Sequence, residues 1–170
     1  MIFDRRSNRL GFFVTDSGLD EVREYELDGT LRRLWNLSGV WGVDVSPVDG
    51  AVYVSCHDSG ELWKNALGSS SFIRVVTGLD SPRGVEVDRS GKIFVLEAGQ
   101  QRLVQAVPAV NSFIATAYSS EAKNGHGMVV YESTDKDGDY LPDSWELTYN
   151  SSLAAVNAQS NNDTDSSVDR

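Results

Sequence analysis

The sequence predicts an all-β fold built from repeated antiparallel units of four short strands. Three observations lead to this prediction: a repeat of 40 to 42 residues, short runs of Val, Ile, Phe and Tyr between Gly, Asp, Ser and Pro, and no window with a sustained helical period. Apolar runs bounded by turn residues are typical of strands and hairpins. A fold assembled from copies of one unit buries its core between neighbouring copies.

The repeat is clearest between two segments in the first two thirds of the chain. One segment reads WGVDV over residues 41–45 and the other RGVEV over 83–87, so that their glycines are 42 residues apart. An earlier copy, over 10–16, places Val14 40 residues before Val54. Three copies at nearly the same period indicate three structural units of the same kind.

Each copy is predicted to form four strands. Those of the first copy are expected at 2–4, 10–15, 21–27 and 30–35. Those of the second are expected at 42–46, 51–57, 60–66 and 72–77. Those of the third are expected at 84–88, 92–96, 102–106 and 113–118. The dipeptides Asp28-Gly29, Asp49-Gly50 and Ser90-Gly91 are expected at hairpin turns that need a left-handed residue.

Four short strands in about 41 residues are the unit of a β-propeller blade. The segment 79–95 resembles the NHL repeats of six-bladed propellers and the related gluconolactonase-like group, and 13–20 with 27–30 is similar to the YWTD blade of lipoprotein-receptor propellers. The resemblance covers 1–118 and implies a partial propeller of three blades. Since propellers have four to eight blades, we expect an N-terminally truncated piece of a longer protein, or two chains that assemble into six blades.

Composition excludes several classes of function. The chain has 25 acidic and 15 basic residues, a net charge of −10, which speaks against nucleic acid or an anionic membrane as partner. No apolar stretch is long enough for a membrane span, no signal peptide is visible, and a single cysteine, Cys56, excludes an internal disulfide. Residues 119–170 carry ten acidic and three basic residues, which places a domain boundary between 119 and Asp135, with 119–134 as a linker or an extra strand.

An acidic loop over 135–146 has the spacing of a twelve-residue calcium loop. Carboxylates occupy its positions 1, 3, 5, 9 and 12, and a backbone carbonyl can fill position 7. Ca²⁺ prefers six to eight oxygen ligands, and the carboxylates repel one another until a cation binds. The predicted ligands are Asp135, Asp137, Asp139, Leu141, Asp143 and Glu146.

A short helix is expected to follow the ligands and to end at Asn150. Pro142 suits its first turn, and Leu141, Trp145 and Tyr149 share one helical face. The usual glycine at loop position 6 is replaced by Tyr140, which is expected to weaken the site or displace the turn.

The segment resembles thrombospondin type 3 calcium repeats, and more narrowly a bacterial surface-protein version that ends in LPDxWE, here 141–146. The resemblance implies bound Ca²⁺ and an extracellular or cell-surface location. A solvated acidic linker is the alternative for this loop, and 151–170 is expected to be a disordered tail. A partial second pattern, Asp163 to Asp169, stops before it can be judged.

Several other residues invite functional hypotheses. Asp44 and Glu86 occupy equivalent places in first strands, where they could line a channel and hold a cation, although a hydrogen-bonded or solvated role is the simpler interpretation. Cys56 precedes His57 and Asp58, but a packed core cysteine is favoured over a nucleophile. His126 is expected in a plain turn.

The tryptophans of the repeat are assigned to packing. Trp35, Trp41 and Trp63 are spaced for contacts between blades, and nothing in the sequence favours an exposed ligand platform.

The sequence therefore predicts a secreted or cell-surface binding or scaffold protein, in which a propeller presents loops to a protein or carbohydrate ligand and Ca²⁺ stiffens a spacer. Catalysis is not expected. The alternative is a gluconolactonase-like hydrolase or lyase whose site lies partly in further blades. A lipoprotein-receptor-like ligand-binding propeller is a third possibility.

Overall fold

The computed structural model describes residues 2–4, 11–109, 112–120, 122, 125, 127 and 128. These residues belong to one unit, Met1–Val130. Within them, every regular element is a strand, and each strand pairs antiparallel with the next in its sheet. No helix in the described part is long and apolar enough to cross a membrane. The calcium loop, the short helix and the tail predicted after residue 134 lie outside the described residues.

The strands form three four-stranded sheets, which we call blades one, two and three. Blade one contains β1 (Ile2–Asp4), β2 (Gly11–Asp16), β3 (Glu21–Glu26) and β4 (Leu31–Asn36). Blade two contains β5 (Val40–Val45), β6 (Val52–Cys56), β7 (Glu61–Asn65) and β8 (Ile73–Val76). Blade three contains β9 (Pro82–Val87), β10 (Ile93–Glu97), β11 (Arg102–Ala109) and β12 (Ser112–Ser119).

The prediction of three all-β units is confirmed. Every strand expected from the repeat is present, and the boundaries differ by at most three residues. The strands of each sheet lie in chain order, so each blade is a simple meander. The hairpin turns also agree, because Gly29, Gly50 and Gly91 have φ values of 87°, 67° and 82° in the left-handed region.

The core lies between the blades. The first strands contact across the blade boundaries, β1 with β5 and β5 with β9, and we call these three the inner strands. Between blades one and two, the buried apolar residues are Phe13, Val22, Val40, Val52, Val54 and Cys56. Between blades two and three, the buried apolar residues are Ala51, Tyr53, Leu62, Val76, Leu79, Val85, Val87, Ile93, Val95, Val104 and Ala106. Each blade is therefore stabilised mainly by its neighbours.

Candidate functional site

The predicted calcium ligands, Asp135 to Glu146, lie outside the described residues, as do Tyr140, His126 and the partial pattern at 163–169. The calcium site therefore stays a prediction. The described residues contain a different candidate site, which lies at one end of the inner strands.

This candidate site is at the end where the inner strands β5 and β9 begin, which we call the entry end. Trp41 and Arg83 are each the second residue of their strand, one in blade two and one in blade three. His57 begins the turn after β6, and this turn lies beside the start of β5 because Val40 pairs with Cys56. The repeat thus brings one residue from each of three segments to the same place.

Trp41, His57 and Arg83 form one stacked group, which we call the entry cluster. The guanidinium carbon of Arg83 lies 5.1 Å from the centroid of the Trp41 ring, a cation–π contact. The His57 ring lies 5.2 Å from the same indole with an angle of 34° between the planes. Trp41 is 38% exposed, so the group reaches solvent. Trp41 makes a contact between blades, as expected from the sequence, because Arg83 belongs to blade three, but its indole also remains partly exposed.

Trp35 and Trp63 also pack as expected. Both are partly buried against the core between blades one and two. Their indole N–H groups donate to the Ser70 carbonyl at 3.0 Å and to the Glu61 carboxylate at 3.0 Å. These two residues and Trp41 lie at different positions along the blade. Composition alone does not reveal those positions.

Hydroxyl groups fix the backbone beneath the entry cluster. Thr15 on β2 donates to the Trp41 carbonyl at 2.6 Å, and Ser55 on β6 donates to the Arg83 carbonyl at 2.7 Å. Thr15 and Ser55 are equivalent in the repeat, so the same bond joins blade one to two and blade two to three. Ser55 is completely buried and also accepts from the Gly42 N–H at 2.9 Å. These bonds satisfy buried backbone groups and hold the two inner strands in register.

Glycine at position 42 allows this close approach. A Cβ atom there would lie 2.1 Å from the Arg83 carbonyl oxygen, closer than any side chain tolerates. The absence of a side chain lets β9 come near β5 at the entry end and brings the Arg83 guanidinium over the indole. The repeated Gly42 and Gly84 were visible in the sequence, but their role depends on the contact between blades.

His57 is held by two hydrogen bonds. Its backbone N–H donates to the Gly39 carbonyl at 2.7 Å, and its Nδ1 lies 2.8 Å from the Asp58 carboxylate. Because a carboxylate is an acceptor, Nδ1 carries the proton of this hydrogen bond. The imidazole is thus oriented by the protein itself.

Cys56 is not available as a nucleophile. Its side chain is completely buried in the core between blades one and two. Burial raises the pKa of its thiol to about 12, and the charges of Glu61 and Asp20 act in the same direction. The packed role favoured by the sequence is confirmed.

Asp44 joins two blades rather than facing an open channel. Its carboxylate is 4% exposed and accepts from the Val87 N–H of blade three at 2.7 Å. Burial raises the pKa of Asp44, and the hydrogen bonds from Val87 and Val45 partly oppose this shift. Among the described residues, no group of three or more His, Cys, Asp or Glu side chains could hold a metal.

No protein-family model matches the sequence, and no curated protein matches it. Solved structures of other proteins are similar to it. Selenomethionine-substituted virginiamycin B lyase from Staphylococcus aureus gives a TM-score of 0.60 at 14% identity, over 79% of this chain and 45% of the lyase. A streptogramin B lyase structure gives 0.58 at 12% identity, over 75% of this chain and 43% of that one.

A chain of a nidogen/laminin complex is also similar, with a TM-score of 0.65 at 21% identity, over 78% of this chain and 51% of the other. At such low identities these likenesses show the fold, which is a β-propeller of four-stranded antiparallel blades. The present chain spans about half the length of the solved proteins it matches.

Proposed function

We propose that this protein is a ligand-binding β-propeller whose ligand contacts the entry cluster. The observation that carries the proposal is the convergence of an exposed indole, a guanidinium and an oriented imidazole at one end of the inner strands. Binding sites combine apolar surface with a few well-placed polar groups, and these three side chains supply both. Trp41 offers apolar area, Arg83 a positive charge and His57 an imidazole ring.

Preorganisation also supports a binding role. The carbonyls of Trp41 and Arg83 are fixed by buried or half-buried hydroxyls, and His57 is fixed at both its backbone and its ring. A backbone and an imidazole held in this way lose little entropy when a ligand arrives.

The test is a titration of the full chain with small probes, observed by NMR at the indole N–H groups. Suitable probes are methyl glucoside, methyl glucuronide, and the N-acetyl amides of Asp, Lys and Trp. We expect shifts at the Trp41 indole and none at Trp63, whose N–H is bonded to Glu61. Shifts at Trp63 alone, or none at Trp41 with any probe, would show that the entry cluster is not the binding site.

We further propose that residues 135–146 bind Ca²⁺ and stiffen the segment that follows the propeller. The support is the spacing of five carboxylates at the ligand positions of a calcium loop. Glu146→Gln should lower the affinity for Ca²⁺ at least tenfold, because it removes the bidentate ligand that closes the shell.

Calorimetric titration with Ca²⁺ measures this effect. Glu132→Gln is the matched control, since it removes one negative charge just before the loop without removing a predicted ligand. Equal heats for the native chain and Glu146→Gln would contradict the proposal. Equal losses in both variants would mean that general charge, not coordination, attracts the cation.

An extracellular or cell-surface location is proposed with this loop, because the millimolar Ca²⁺ outside cells saturates weak sites. The similarity to a chain of a nidogen/laminin complex is consistent with that location. Labelling intact source cells with a membrane-impermeant biotin reagent tests it. Recovery of the protein only after lysis would contradict it.

A second candidate function is an elimination or hydrolysis reaction with His57 as proton carrier. The specific observation is the His57–Asp58 pair, in which a carboxylate orients an imidazole at the surface. The test compares hydrolysis of glucono-δ-lactone by the native chain and by His57→Gln in a pH-stat. Rates equal to the uncatalysed background in both would remove this candidate.

A further inference from the structure

We infer that a fourth copy of the repeat begins at Gly125 and that its first strand covers the open side of blade three. The sequence allows either a linker or an extra strand between Ser119 and Asp135. The contacts of the described residues in this segment favour the extra strand, as a fourth inner strand. The partner of blade three is then a segment of the same chain, and neither the entry cluster nor the calcium loop is needed for this assignment.

Blade three is covered on the side that faces away from blade two. Ile93 and Val95 of β10 pack toward blade two. Phe94 and Leu96 alternate with them and therefore point to the opposite side, yet they are only 9% and 4% exposed. The residues of β6, which has a blade on both sides, are all buried in the same way, whereas Val14 on the open side of blade one is only partly buried. Blade three therefore has a neighbour on each side.

Two contacts identify the segment that covers this side. A Cβ atom at Gly125 would lie 2.5 Å from the Leu96 side chain. A Cβ atom at Gly84 would lie 3.3 Å from the backbone nitrogen of Met128 and 3.4 Å from its Cγ. The chain at Gly125 and Met128 is therefore packed against the second and first strands of blade three.

An equivalent contact joins blade two to blade three. Gly42 is the third residue of β5, and a Cβ atom there would meet the carbonyl of Arg83 at the start of β9. Gly84 is likewise the third residue of β9, and a Cβ atom there would meet Met128. The chain at Met128 therefore lies beside blade three as the first strand of blade three lies beside blade two.

The spacing of the sequence agrees with a fourth copy. Residues 41–43 read WGV, 83–85 read RGV and 126–128 read HGM, so that their glycines are 42 and 43 residues apart. The strands β5 and β9 both end three residues after their glycine. The compact unit that contains the blades ends at Val130, which is also three residues after Gly127. Period, contact and boundary thus repeat together.

The repeat pattern stops after this strand. In copies two and three, the second strand begins 10 and 9 residues after the glycine. The same distance from Gly127 leads to Lys136 and Asp137, which belong to the acidic loop. Each first strand pairs only with the second strand of its own blade. Gly127 and Met128 therefore belong to none of the three sheets and are held by packing on blade three.

The experiment introduces pairs of cysteines into the full chain, oxidises them mildly and identifies linked peptides by mass spectrometry. Gly84→Cys with Met128→Cys should link, because a Cβ atom at residue 84 lies beside Met128. Ser90→Cys with Met128→Cys is the matched control, since Ser90 lies in the hairpin at the opposite end of β9. We expect a linked fraction about tenfold larger than in the control. The native Cys56 is completely buried.

A second pair tests the direction of the segment. Asp44 in blade two accepts from the Val87 N–H of the next copy, and the equivalent residues one copy later are Glu86 and Val130. Glu86→Cys with Val130→Cys should therefore link as efficiently as the first pair. In the unsubstituted chain, a nuclear Overhauser effect between the Gly84 α-protons and the Met128 side chain measures the same approach without mutation. Circular dichroism confirms that the variants are folded.

Linkage of the pair at 86 and 130, together with the Overhauser effect, supports a fourth inner strand even if Gly84→Cys does not fold. Linkage of the pair at 84 and 128 alone would overturn it, because the segment would then cross blade three in another direction. Linked fractions no larger than in the control for both pairs, or no Overhauser effect in the unsubstituted chain, would also overturn it. None of these outcomes bears on ligand binding at the entry cluster.

Discussion

At the scale of single residues, buried polar groups connect the blades. The carboxylate of Asp44 reaches from β5 to the backbone of β9, and the hydroxyl of Ser55 reaches from β6 to the same strand. Neither group has water as an alternative partner, because both residues are nearly or completely buried. Removing one partner of such a bond costs the desolvation of the other, about 1–3 kcal/mol.

Replacement of Asp44 should reveal its raised pKa. The folded state holds the Asp44 proton more tightly than the unfolded chain, so its contribution to the free energy of unfolding is greatest below the ordinary pKa of about 3.9 and falls as pH rises toward the folded-state pKa. Asp44→Asn keeps an acceptor for the Val87 N–H and removes this dependence. Its stability relative to the native chain should therefore increase with pH across that window, as measured by urea unfolding.

Two variants serve as controls for Asp44. Asp44→Ala leaves the Val87 N–H without its acceptor and should be destabilised by about 1–3 kcal/mol. Asp28→Asn should show the opposite slope, because a hydrogen bond from Thr30 lowers the pKa of Asp28. A pH-independent difference between Asp44→Asn and the native chain would contradict the argument.

Cys56 should resist alkylation while the protein is folded. Its thiol is buried and its pKa is raised to about 12, so the thiolate is scarce at neutral pH and inaccessible. Iodoacetamide at about pH 8 should label it only after unfolding in urea, as measured by mass spectrometry. The chain has one cysteine, so the labelled fraction is unambiguous. Rapid labelling of the folded chain would show that the core opens there.

At the scale of strands and turns, the sequence predicts the hairpins better than the corners between the second and third strands. The turns at Gly29, Gly50 and Gly91 follow local chemistry, because a glycine marks each left-handed position. The corner after the second strand also needs a left-handed residue, which is Asp20, Gly60 and Gln101 in the three blades, with φ values of 57°, 65° and 51°. Only one of these is glycine, so tertiary contacts impose a left-handed conformation that the local sequence does not predict.

Gly42→Ala tests the close approach of β5 and β9. The new methyl group would lie 2.1 Å from the Arg83 carbonyl oxygen, so the strands must separate, at a cost of about 1–3 kcal/mol. Gly18→Ala is the matched control, since the new methyl group would lie at an ordinary 3.5 Å from the Asp16 carboxylate, and it should change stability by less than about 0.5 kcal/mol. Thermal unfolding compares the two. Similar effects at both positions would mean that the contact at residue 42 is easily relaxed.

At the scale of the whole molecule, the three-blade arrangement was predictable and the entry cluster was not. The period near 41 residues, repeated in three copies, can be recognised from the sequence alone. The stacking of Trp41 with Arg83 and His57 joins residues up to 42 positions apart and depends on how neighbouring blades meet. The repeat places Trp41 and Arg83 at equivalent positions, which was the one signal that pointed to the site.

Hydrogen exchange should follow the radial order of the strands. Every residue of β6 and β10 is buried, whereas β4 is mostly exposed and half of the residues of β8 are exposed. Amides of the second strands should therefore exchange slowest, and those of the fourth strands fastest, in mass-spectrometric measurements. Uniform protection across a blade would contradict a core that lies between inner and middle strands.

The hydrogen bonds that Thr15 and Ser55 donate also bear on how further blades can be added to the repeat. The first two copies each carry, on the second strand, the hydroxyl that binds the backbone of the following copy. The third copy has Leu96 at this place, buried beside Gly125, and so makes a hydrocarbon contact there. Blade two placed after blade one keeps the hydrogen bond that Thr15 donates to it. A copy of blade two placed after blade three would need a different contact, because Leu96 has no hydroxyl group.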